Sequence, residues 1–146
     1  MTTAAGGFVV NRFSIVIDGY EIASFSDLEG VVSEVEPVAY VESDDQAVDH
    51  SKLLGKPKPP VITLKRGMNG NMELWAWHEA VRKGDMTAAR GCSLTMYDAG
   101  GKPVVKYWLE RAWPAKIDIG AMKAGSSEIM LETVTLVCEY IQRVSP

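Results

Sequence analysis

Two histidines and a scatter of carboxylates are what this 146-residue chain offers for chemistry. His78-Glu79 begins like the helical signature of zinc proteases, in which a second histidine four positions after the first completes the metal's coordination. Arg82 stands at that place, so two imidazoles cannot meet one ion from this stretch. Asp49-His50-Ser51 contains the residue types of a hydrolase triad. Adjacent positions, however, cannot stack nucleophile, base and orienting carboxylate, and no Gly-x-Ser-x-Gly elbow is present. Gly55-Lys56-Pro57-Lys58 offers lysines for phosphate without the glycine spacing of a phosphate loop, and its proline removes an amide donor. Glu42, Asp44, Asp45 and Asp49 lack the glycine and terminal glutamate of a calcium loop and read as surface charge. Cys92 and Cys138 form no CxxC pair and are expected as two reduced, partly buried thiols. No catalytic residue, metal or cofactor is expected. An enzyme would require a pocket that joins His50 or His78 to a carboxylate.

The composition is that of one folded domain. Hydrophobic residues make up 47% and charged ones 23%, which suits a packed core and argues against a mainly disordered chain. A net charge of −4 gives no electrostatic reason to bind phosphate backbones or anionic lipid, so specific nucleic-acid binding is not expected. No basic-then-apolar leader opens the sequence and no apolar run is long enough to span a bilayer, so assembly in the cytoplasm, without membrane insertion, is expected.

The strongest local pattern runs from Val61 to Gly84. Val61 to Arg66 alternates like a β-branched strand, and Gly67 to Asn71 carries turn chemistry. A helix over residues 72–83 follows, with Asn71 as N-cap, Glu73 in its first turn, Arg82 and Lys83 in its last, and Gly84 just beyond. Leu74, Trp77, His78 and Val81 share its inward face. Trp77 is assigned to the core, whereas Trp75 and Trp113 are candidates for contacts between chains.

Around this centre the remaining segments read as strands. Residues 1–8 form a loose arm, and Phe8 to Asp18 is a strand that turns at Asp18-Gly19 into Tyr20–Phe25, anchored by Tyr20, Ile22 and Phe25. Gly30 ends that hairpin. Val31 to Val41 is a strand in which Pro37 marks an edge or a bulge. Residues 42–60 read as a long inter-strand loop with the pair Leu53-Leu54 in its middle. That pair needs cover, either from its own core or from another subunit. Arg90–Tyr97 and Val104–Arg111 make a second hairpin about the Asp98–Gly101 turn, and Ala112 to Gly125 is a bend. Glu128 to Val144 is one long strand-rich run with a face switch near Glu132-Thr133. The sum is an α+β fold, mainly antiparallel β, closing as a β-barrel or a two-sheet sandwich with one flanking helix.

Leu64-Lys65-Arg66-Gly67 followed by Glu73-Leu74-Trp75-x-Trp77 resembles the signature of the tail tube proteins of contractile phages and related bacterial contractile injection systems. Phe13–Gly19, Phe25–Gly30, Ala112–Lys116 and Glu128–Thr133 resemble further parts of that family in the right order, so the likeness extends from Asn11 to Val144. Phe13, Leu64, Gly67, Leu74, Trp77, Val81 and Trp108 stand at its core and signature positions. The small-residue N-terminal arm and Cys138 depart from the pattern.

The resemblance implies a fold similar to the secreted ring proteins of type VI systems, hexameric rings stacked into a hollow tube, and no catalysis. It implies as partners other copies of the chain, a surrounding sheath protein, baseplate and spike proteins, and cargo in the lumen of a phage virion or injection particle. The long loop would then carry the contacts between rings and subunits, through Asp44, Asp45, Asp49, His50, Lys52, Leu53, Leu54, Lys56 and Lys58, with Trp75 and Trp113 as further contact residues. The alternatives are a ring-forming cargo adaptor of chaperone-like type and a tube-initiating paralogue near the baseplate.

Overall fold

The computed structural model describes residues 6–41 and 50–145. Eight strands and one α-helix follow in the order β1 (Arg12–Ile17), β2 (Tyr20–Phe25), β3 (Asp27–Val41), β4 (His50–Gly67), α1 (Glu73–Arg82), β5 (Arg90–Tyr97), β6 (Pro103–Ile119), β7 (Leu131–Val137) and β8 (Tyr140–Ser145). All pairings are antiparallel, in the order β2-β1-β5-β6-β7-β4-β3, with β8 also on β6. This is the mainly antiparallel architecture with one helix that the sequence leads one to expect.

A single strand joins the two halves of the sheet. The first part of β6 pairs with β5 and β8, and its second part, from Trp113 to Ile119, pairs with β7. Between them Arg111 adopts φ 48°, a conformation rare outside glycine, and turns the strand from one layer into the other. Residues 112–119, expected as a bend, are therefore strand. Pro114 is tolerated because the ladder shifts register just after it, and because its carbonyl, 2.9 Å from Nδ1 of His78, is satisfied by the helix.

The core lies between these layers. Ile15, Leu94 and Leu109 come from one side, Ile62, Leu64, Val134 and Leu136 from the other, and Leu74 and Trp77 from α1. Burying each such aliphatic side chain contributes about 1.5–3 kcal/mol. The helix begins one residue later than expected, with Met72 at the N-cap, although Oδ1 of Asn71 still accepts from the Glu73 amide at 2.8 Å. Gly84, at φ +82°, ends it by donating its amide to the Val81 carbonyl. The indole of Trp77 donates to the carbonyl of Ala88 at 2.6 Å, tying α1 to the 3-10 turn Met86–Ala88.

Four further expectations are corrected. Strand β1 starts at Arg12 rather than Phe8. Phe25 anchors β2 and Ile22 packs against the core as expected, but Tyr20 is exposed and Ala23 takes its place, because a register shift between Ile15 and Val16 changes which residues of the hairpin face inward. Gly30 does not end a hairpin. The chain passes from β2 to β3 at Ser26, whose amide donates to the Lys65 carbonyl, and Gly30 lies at a bulge inside β3. No face switch occurs at Glu132-Thr133. Alternate residues Glu132, Val134 and Leu136 all point inward, and the break comes later, at Cys138-Glu139, between β7 and β8. Glu132 can face the core because Arg66, its direct partner on β4, is buried beside it.

Candidate assembly surface

The segment expected as a loop over residues 42–60 is in large part a strand. From His50 to Lys58, β4 pairs with β3 alone, while β7 joins it only from Val61 onward. The result is a two-stranded arm, and at about 3.3 Å per residue its eleven residues from His50 to Pro60 extend about 35 Å. Its prolines suggested a loop, but a two-stranded ribbon has an outer border on each strand where a missing amide costs little. Register shifts beside Glu34 and Pro37 absorb the mismatch.

Among the described residues the arm has no core of its own. Leu54 is 95% exposed and Leu53 51%, and the large apolar residues Val32, Val35 and Val38 across the hairpin are exposed as well. Sequence reading singled out the leucines but missed these valines. The run of β-branched residues broken by Glu34 and Glu36 was the available signal, because it alternates without any inward face to fill. Lys56 and Lys58 are exposed on the same strand, with Lys58 Nζ 3.6 Å from Glu34. His50 and Lys52 lie on the β4 backbone opposite Val41 and Ala39. Glu42, Asp44, Asp45 and Asp49 fall outside the described residues.

The opposite end of β4 carries a second apolar surface. Arg66 and Glu132, with side chains 4% and 7% exposed, floor a pocket of about 240 Å³ that is walled by Met72, Trp75, Ile117 and Ile119. Trp75 is 43% exposed, with its ring centroid 5.7 Å from that of His78. Met72, Ile119, Ile129 and Met130 are also exposed here, and the Met68 amide binds the Met130 carbonyl at 2.8 Å, holding the 120–130 connection beside the pocket. Of these residues, only Trp75 was singled out as a contact residue in the sequence. Trp113 is half-buried at a separate groove formed with Val81, Asp85 and Met86.

Leu64 and Leu74 are fully buried and Trp77 nearly so, while Phe13 and Val81 are half-buried and pack against the core. Gly67 lies beside Ile129. Trp108 is half-buried rather than sealed inside, because its Nε1 donates outward to Glu110 at 2.8 Å. Glu79 pairs with Arg82 on the helix surface, and no cluster of three potential metal ligands occurs among the described residues. No helix among the described residues is long and apolar enough to cross a membrane. Asp85 is held below the usual carboxylate range by the hydroxyl and then the amide of Thr87, as a cap of the 3-10 turn.

The family model described as T4-like virus tail tube protein gp19 matches residues 9–142. Among solved structures, a chain of the PVC sheath-tube complex of an extracellular contractile injection system, in the extended state, is 17% identical with a TM-score of 0.79, covering 98% of this chain and 95% of that one. A chain of the anti-feeding prophage baseplate is 18% identical with a TM-score of 0.73, covering 99% and 98%. Hcp1 from Flavobacterium johnsoniae is 12% identical with a TM-score of 0.51, covering 92% and 95%. At these identities the likeness is one of fold. No curated protein matches the sequence significantly.

Proposed function

The chain belongs to the family of the T4-like virus tail tube protein gp19, and we propose that six copies of it close into a ring and that rings stack into the hollow inner tube of a contractile phage tail or injection system. One observation carries this reading: an arm in which β4, from His50 to Lys58, pairs with β3 alone stands clear of the packed layers with Leu53 and Leu54 in water. An isolated two-stranded ribbon is marginal in water, so it becomes stable only on another surface. A second copy supplies one, and β2 and β3, each paired on one side only, leave sheet borders that neighbouring copies can cover. The role is mechanical, that of a conduit and piston, and no catalytic step enters it. A sheath outside, a baseplate and spike at one end, and cargo within are the partners this role requires.

Replacing both Leu53 and Leu54 with Asp is expected to leave the circular dichroism spectrum and melting transition unchanged while abolishing tubes in negative-stain micrographs. Long tubes from that variant would overturn the reading. Relatives of the same fold occur in a prophage baseplate and in a tube-terminating cap, which favours one second reading, a specialised end ring. A chain that forms rings of uniform mass but no tubes at high concentration would select it.

A further inference from the structure

We propose that the pocket floored by Arg66 and Glu132 is the receptor for the Leu53-Leu54 stretch of the arm of a second copy of this chain, with Leu54 seated between Met72, Trp75 and Ile119. This rests on the ring-and-tube reading and names the surface that the arm engages. Both halves of the contact are on one strand. Leu54 and Arg66 are twelve positions apart on β4, about 40 Å at the rise of an extended chain. Leu54 therefore cannot reach its own pocket. The two are separated along β4, and a copy displaced along the strand direction brings one onto the other.

The two surfaces are also complementary in kind. Leu54 is the most exposed large apolar side chain on the arm among the described residues, and its partner across the ladder is Pro37, which adds no polar group beside it. The receptor offers two methionine-type and aromatic walls, Met72 and Trp75, with Ile117 and Ile119 behind them, and about 240 Å³ of space. Methionine adapts to an incoming side chain, and an aromatic rim supplies contact area at small entropic cost. At the floor, Nη2 of Arg66 lies 3.7 Å from Glu132, and its buried Nε has no acceptor. The contact joins two different patches of the same chain, so it propagates from copy to copy instead of closing a two-fold dimer.

The test uses the full chain. In Leu54→Cys/Met72→Cys, mild oxidation of assembled tubes is expected to give a ladder of disulfide-linked multimers, because the native thiols are buried. Leu54→Cys/Tyr20→Cys is the control and is expected to give none. Separately, Met72→Glu, at an exposed site, is expected to keep the wild-type melting transition and to lower tube yield at least tenfold. Tubes of the Met72 pair without a ladder, a ladder from the Tyr20 pair, arm-to-arm dimers from Leu54→Cys alone, or normal tubes from Met72→Glu would each overturn the pocket as receptor while leaving the tube reading intact. Wild-type chain that never forms tubes would overturn both.

Discussion

The indole of Trp108 fills the space that a side chain on Gly91 would need: a Cβ built on Gly91 would lie 2.4 Å from Cζ2 and 2.7 Å from Cη2 of the ring. The two residues sit on paired strands, where β5 shifts register against β6 between Arg90 and Cys92. Glycine is required here for close approach, with no demand on its φ angle. Gly91→Ala is therefore expected to destabilise the fold by about 1–3 kcal/mol, the usual cost of overpacking. Urea unfolding checks this, and the penalty should largely disappear in a Trp108→Val background.

A similar test applies to the arm. A Cβ on Gly55 would stand 1.9 Å from the carbonyl oxygen of Glu36, which is backbone and cannot swing aside. Gly55→Ala should force the two strands of the arm apart. The packed layers lie beyond Val61 and should keep their melting temperature, while limited proteolysis within the arm accelerates and tube yield falls.

Arg66 and Glu132 are nearly sealed from solvent, with the Arg66 guanidinium carbon also 5.6 Å from the Phe25 ring centre. Glu132→Gln leaves a buried cation without its counter-charge and should cost about 3–5 kcal/mol. Replacing the pair together, Arg66→Met with Glu132→Leu, should restore most of that stability. Denaturant midpoints of the three variants decide it.

Burial pushes the Cys92 thiol from 9.0 to about 12, with the charge of Cys138 adding to the effect, and pushes Cys138 from 9.0 to about 11. Both groups hold their proton more tightly in the folded chain than in the unfolded one. Their contribution to stability is complete below pH 9.0 and is lost as pH rises towards 11 and 12. Melting temperature should fall more steeply above pH 9.0 in the wild type than in Cys92→Ala/Cys138→Ala. In the native chain at neutral pH both thiols should resist alkylation, and both should react in urea.

Elements whose periodicity and end signals agreed were legible in the sequence. The helix was placed to within a residue at each end, and β5 matched residue for residue, because Leu74, Trp77 and Gly84 and the Cys92–Tyr97 alternation each reflect local rules. The edge or bulge read at Pro37 is there, as a register shift of β3 against β4. The loop expected over residues 42–60 and the bend expected over residues 112–119 share one cause: Pro57 and Pro114 were given weight as breakers, yet Pro57 lies on the two-stranded arm and Pro114 beside a register shift with its carbonyl satisfied by the helix. Whether a proline stands on a border depends on which strand lies next to it, which no local window contains. The pocket escaped notice for the same reason. Arg66, Met72, Ile119 and Glu132 come from four elements, and only the β4–β7 register brings Arg66 and Glu132 face to face.

The continuity of β6 through Arg111 has a mechanical side. Pro103 to Ile119 is one covalent strand serving both layers, so a load placed on the layer containing β5 and β8 reaches β7 through peptide bonds, without relying on side-chain packing alone. The layers resist sliding past each other, and shear must bend a backbone before it can separate them. A wall built from such units would transmit thrust along its length with little internal slip.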